Sequence, residues 1–494
     1  TTGDSNVAVG RDALGENTTA SSNVAIGNNA MNLNTTGASN VAVGANSLDA
    51  NTTASNNTAV GHSALTANTT GTNNVAVGLS ALQDVTTNSA NTAVGTQALK
   101  QNTSGNNTAL GYLSLRLNTS GTQNVAAGAE SLDANTSGSY NAAFGMQTLT
   151  TNTTGEKNTA LGSFALRDNT TASNNTAVGS SALLVNTTGT QNTTVGTISL
   201  DANTTGNFNT SVGYASLSGN TTGSSNTGVG LSALYSNTTA DHNTAVGREA
   251  LVLNTTGTGN VAVGSLSLDA NTTGSANVGV GYLALTDLTT GGNNTAIGNA
   301  AAQNCTDASS IVAVGSAALD ANTSGSNNVA VGVSALQNNT TANDNTAVGK
   351  EALKVNTTGG LNTAVGNETL ESNTTGANNT AVGALALDAN TTASNNTAVG
   401  QAALTANTTG QVNVAVGEGA LKSNTTANNN TAVGREALQS NTTGTQIVAI
   451  GANALNSFVS GTAQLTAVGY EALKSCTTAY NTAVGWQAGD AITT

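Results

Sequence analysis

Two short apolar stretches alternate with two polar ones along the chain, and the alternation is periodic. The first stretch reads Asn-(Val/Thr)-Ala-Val-Gly, as at Asn40-Val41-Ala42-Val43-Gly44; the second is a small residue followed by leucine, as at Ser47-Leu48. A polar Asn-Thr-Thr corner follows at Asn51-Thr52-Thr53. With the glycine as anchor, Gly10, Gly27, Gly44, Gly61 and Gly78 mark every seventeenth position, and the series runs to Gly485 through 29 anchors. Three intervals depart from this period: Gly95 to Gly111 and Gly469 to Gly485 are each shorter by one, and Gly451 to Gly469 is longer by one. Slips of a single residue suit a loop better than a strand.

Seventeen residues are too few for a strand with a packed helix, and the β-branched content favours strand. The pattern predicts an all-β parallel β-solenoid of 29 coils, each with two short strands and two turns, continuous over residues 1–494 with no separate globular domain. At the spacing of paired strands the stack would span roughly 140 Å.

The columns of this internal alignment assign roles, with positions counted from the anchor. The anchor glycine is never replaced, which predicts a positive φ at a structural turn. Leucine fills position +4 in 26 of 29 coils, so Leu14, Leu48 and Leu65 head the expected core column. Asparagine dominates positions −4 (Asn6, Asn23) and +7 (Asn17, Asn34). Its replacements are Ile311, Ile447 and Leu465 in the first column, and Val85, Leu288, Cys305, Phe458, Cys476 and Ile492 in the second. Replacements that are all apolar or cysteine mark buried sites. Both columns, Cys305 and Cys476 included, are therefore expected to form interior ladders, amide bonding to amide and to turn backbone. That reading also makes the recurring sequon, first seen at Asn17-Thr18-Thr19, a structural element with no room for a glycan.

Neighbours in a strand point to opposite faces. Alanine at position −2 is expected to fill a thin interior, leaving the residues at −3 and −1 outside, and position −1 is apolar in every coil. A stripe of that kind needs a cover, most simply a partner chain; the alternative is a wider coil that turns the column inward.

Composition narrows the functional classes. Aromatic residues are 2% and charged residues 7%, too little for a thick core with a catalytic cleft. Proline is absent, which keeps every backbone N–H available to a ladder. A net charge of −14 with only 11 basic residues argues against nucleic acid or an anionic membrane as partner. No apolar run approaches the length of a membrane-crossing helix, so no membrane insertion is expected. Thr1 is not an initiator methionine, so processing or truncation is expected, as is continuation into further chain or end-to-end stacking at the open coil edges.

The Asn-(Val/Thr)-Ala-(Val/Ile)-Gly block, present over residues 6–486, resembles the head repeats of trimeric autotransporter adhesins. The 17-residue unit is similar to repeat arrays of phage tail-fibre-like and bacterial surface proteins. The resemblance implies a left-handed homotrimeric β-roll in an extracellular, cell-surface or virion fibre.

Candidate chemistry is sparse. His62 and His242 stand at variable positions, and Cys305 and Cys476 share one column ten coils apart. Asp49, Asp133, Asp201, Asp269, Asp320 and Asp388 recur in Leu-Asp-Ala-Asn, each without a second carboxylate nearby; block duplication accounts for them better than calcium, which prefers several oxygens. No catalytic residue, cofactor or metal is expected. The leading expectation is a non-catalytic structural fibre shaft, spacer or adhesin-like appendage. The alternatives are a phage tail-fibre shaft presenting a receptor- or glycan-binding tip, and an ice-binding threonine ladder on the column headed by Thr18, Thr35 and Thr52.

Overall fold

The computed structural model describes residues 2–461 and 464–492. It is an all-β parallel solenoid, one strand per coil, with no helix among the described residues. Two compact units divide it, Thr1–Asn243 and Thr244–Thr494. The first holds strands β1 (Val7–Val9) to β14 (Thr227–Val229), and the second holds β15 (Thr244–Val246) to β29 (Thr482–Val484).

Within each unit consecutive strands pair in parallel, with equivalent residues aligned. Val7, Ala8 and Val9 face Val24, Ala25 and Ile26 in the first unit, and Thr244, Ala245 and Val246 face Val261, Ala262 and Val263 in the second. The irregular intervals leave the ladder intact: Thr92 pairs with Thr108 across the first short interval, and Val448 pairs with Thr466 across the long one. The first deletion is absorbed at the corner. There the Ser104 carbonyl accepts the amides of Asn91 and Asn102 at 3.0 and 2.6 Å, a role taken elsewhere by the carbonyl at position +10.

The expectation of two strands per coil is not met. Only the three residues before the anchor form a strand. The leucine run lies in a turn, with Leu14, Leu48 and Leu65 at φ of 52°, 53° and 53° and with positive φ recurring at positions +2 and +12. These left-handed residues bend the chain back on itself within a single coil, which a second strand could not do.

Backbone pairing nevertheless continues through the turns. Leu48 N–H donates to Ala64 O at 2.9 Å, Ala50 N–H to Thr66 O at 3.0 Å, Thr35 N–H to Thr52 O at 2.9 Å and Ser39 N–H to Ser21 O at 3.2 Å. Almost every turn of the path thus leans on a neighbouring coil. A proline anywhere along it would delete a bond or clash, which gives the missing proline its physical reason.

The interior is one side chain thick. Alanine at −2, the small residue at +3, leucine at +4 and both asparagine columns are buried in the inner coils, for example Ala42, Ser47, Leu48, Asn51 and Asn57. Replacing one such leucine by alanine would cost about 2–5 kcal/mol, by lost burial and the cavity left behind.

Candidate functional surface

The corner holds the most elaborate chemistry of the coil. Asn40 at −4 and Asn51 at +7 both donate their amide N–H to the Ala54 carbonyl, at 2.8 and 3.1 Å. Asn51 also donates to Oδ1 of Asn34 one coil away at 2.7 Å, and Oδ1 of Asn40 accepts the backbone N–H of Asn57 at 2.9 Å. One column thus runs amide to amide and the other amide to backbone, and a shared carbonyl ties them. Asn23 and Asn34 are fully buried; Asn6 and Asn17 are half-buried in the first coil, where they donate to Ala20 O at 2.9 and 3.2 Å. Buried amides with both ends engaged leave no space for a glycan.

The anchor glycines sit at φ of 132°, 139°, 134°, 134° and 134° at Gly10, Gly27, Gly44, Gly61 and Gly78. A Cβ on Gly44 would lie 2.5 Å from the carbonyl oxygen of Gly61 in the next coil. Close approach and backbone conformation therefore both require glycine there.

Where the asparagines are replaced, the substitutes are buried too, except Ile492 in the last coil, which is half-buried. Val85, Leu288, Cys305, Ile311, Ile447, Phe458, Leu465 and Cys476 are at most 2% exposed. Both cysteines are free. Asn322 directs its amide at the Cys305 sulfur at 4.0 Å, and burial pushes that thiol up to about 11. A thiol held neutral in this way is a poor nucleophile.

Outward, the picture changes. The residues at −3 and −1 are half-buried or exposed in all 29 strands, while the residue between them is buried in nearly every one. Position −1 holds valine, isoleucine, leucine, phenylalanine or alanine throughout, and position −3 valine, threonine or alanine, so no charge enters either column. A single chain does not turn this stripe inward.

The remaining candidates do not converge. His62 and His242 are exposed. Arg116 grips Asp133 in the adjacent coil at 2.8 and 3.0 Å. Burial holds the carboxyls of Asp49, Asp133, Asp269, Asp320 and Asp388 above the usual carboxylate range, against the pull of Arg116 in the case of Asp133. Asp201 accepts the hydroxyl of Ser218 at 2.5 Å. Among the described residues no three histidine, cysteine or acidic side chains form a group able to hold a metal ion, and no helix is long and apolar enough to cross a membrane. The threonine hydroxyls at +8 are committed to the ladder: Thr18, Thr35 and Thr52 donate to carbonyls of the following coil at 2.9, 3.0 and 3.2 Å.

The sequence pattern located the ladders and the core leucines. It missed the left-handed turn residues, because position +12 accepts serine, asparagine, tyrosine, phenylalanine and leucine alike and so carries no compositional mark. No family model matches the chain, and no curated protein matches it.

Proposed function

We propose that the chain is a non-catalytic extracellular fibre segment, a spacer or surface appendage in which several copies, three by the resemblance of its repeat, lie side by side with their apolar stripes inside. The observation that carries this reading is the pair of uncharged columns at −3 and −1, which one chain leaves open in every strand. The −1 column, apolar in every strand of an otherwise polar molecule, marks a contact site. Its regular spacing suits an equally periodic partner, and a second copy supplies one. A tip domain that recognises a cell-surface receptor or glycan would be carried by such a shaft, on a cell or a virion. Ice binding is not favoured, since the hydroxyls it would use are donated within the ladder.

The test is the mass of the purified chain in solution by sedimentation, with electron microscopy of cross-sections. Two or more chains per cross-section with the stripe inside support the reading. A monodisperse single chain at micromolar concentration overturns it.

A further inference from the structure

Two further outward columns flank the apolar stripe. One lies five places before the anchor, the +12 position of the preceding coil, and the other lies at +1. Burial alternates from the first flank into the stripe, as along Asn56, Asn57, Thr58, Ala59 and Val60, so −5, −3 and −1 share the outer face. At +1 the exposed rings of Tyr470 and Trp486, in adjacent coils, stack with centroids 6.4 Å apart, so this column too runs outward along the solenoid.

The two flanks match coil by coil. Aromatic rings occupy −5 three times, at Tyr140, Phe208 and Tyr480, and the +1 residues of those same coils are Met146, Tyr214 and Trp486. All six are exposed, by 47–72%. Fewer than a third of the coils carry a large apolar residue at +1, yet all three rings fall in such coils. Asp344 is the one carboxylate of the −5 column, and its coil carries Lys350 at +1; Lys157, the one lysine of that column, stands with Ser163. The aliphatic Leu361 and Val412 stand with Asn367 and Glu418 and take no part in the match. Within one chain the matched residues do not meet. The strand lies between them, up to roughly 20 Å of extended chain. Lys350 instead reaches Glu351 and Glu368 at 3.4 and 3.6 Å, and Asp344 accepts the Asn327 amide at 3.2 Å.

We propose that the −5 flank of one copy packs on the +1 flank of the next at the same axial height: Tyr140 on Met146, Phe208 on Tyr214, and Asp344 beside Lys350. The inference rests on the reading that copies cover one another's stripes, and it adds which edges meet and in which direction. A copy turned about an axis along the stacking direction keeps its coil order and presents its +1 flank to a neighbour's −5 flank. A copy turned end over end sets −5 against −5 with the coils in opposite order, which forms none of these pairs. Each copy offers one flank of each kind, so the contact passes from copy to copy and closes after two or three. Closure itself requires equal height, because any axial step would accumulate around the ring. Matched coils occur in both units, the ninth and thirteenth in the first and the twenty-first and twenty-ninth in the second, so the same contact covers the stripe of each. Exposed ion pairs stabilise little, so the rings hold the contact and the charges favour its direction.

The test uses the full chain with two exposed positions of the eleventh coil replaced, Asn174→Cys at −5 and Ser180→Cys at +1, and a short bismaleimide linker. The native thiols are buried and stay unmodified. The double variant is expected to give covalently joined chains on a denaturing gel, and each single variant none. With the second cysteine moved five coils away, in Asn174→Cys/Thr96→Cys, no joining is expected. Joining by Asn174→Cys alone, or by the distant pair as readily as by the near one, overturns the contact. An absence of joining in a double variant that keeps its multi-chain mass overturns it too, while leaving the covered stripe intact. A single-chain mass for the parent protein overturns both readings. Should the double variant lose its β circular dichroism, Ser225→Cys/Leu231→Cys in the fourteenth coil takes its place with the same outcomes.

Discussion

Leucine at φ near +50° costs an L-residue about 1–2 kcal/mol, yet Leu48, Leu65, Leu82 and Leu99 all accept it. Each is fully buried and donates its backbone N–H to the next coil, so burial and pairing offset the strain. The asparagine ladder likewise depends on groups that are paired. Asn51→Ala would leave Asn34 Oδ1 without its donor and weaken the hold on the Ala54 carbonyl, at about 1–3 kcal/mol per unpaired buried group. Asn51→Leu, the residue found naturally at Leu288, removes the same bonds but fills the space. Urea unfolding is therefore expected to rank the two with alanine clearly the less stable; equal midpoints would mean that the cavity left behind is of no account. For Cys305, a raised thiol pKa and full burial predict no alkylation by iodoacetamide at pH 8 in the folded chain and complete alkylation in denaturant, read by mass spectrometry.

At the scale of the coil, much is legible in the sequence. The 17-residue period, the buried Leu48 and Asn51 columns and the anchor Gly44 leave marks because each tolerates few side chains. The second apolar run differs from the strand that the 17-residue length suggests, because the conformation of Ser47-Leu48 is set by close stacking with neighbouring coils and not by its composition. The aspartates show a cost of coil geometry. Asp320 lies between glutamines Gln303 and Gln337 in its column, with a buried Oδ1 that finds no partner, and burial raises its pKa from the ordinary value of 3.8. A raised folded-state pKa means that the folded chain binds the proton more tightly than the unfolded one. Stability is then lost as pH rises from 3.8 through the folded value. Asp320→Asn is expected to raise the urea midpoint at pH 7 and to leave it unchanged at pH 3. A gain that persists at pH 3 would assign the effect to something other than charge.

At the scale of the molecule, stability accumulates by nearest-neighbour contacts along each unit. Removing one whole repeat, such as residues 62–78, keeps every column aligned and is expected to shift the melting temperature by only a few degrees. Removing half of that segment breaks the columns on one side of the cut, and limited proteolysis is expected to open the chain there. Equal protease resistance of the two deletions would argue against register as the organising constraint.

Because backbone bonds such as Val41 N–H to Asn57 O and Gly44 N–H to Ile26 O run from coil to coil, they lie along the stacking direction of each unit and not across it. Tension applied to the two ends of a unit would load these bonds one coil at a time, as a zipper is loaded, while a shearing load would meet the strands of many coils together. Each coil released would let out about 50–55 Å of slack, its extended length less one stacking step. Such a stack yields in many small, even steps, behaving as a shock absorber that re-forms coil by coil when the load is removed.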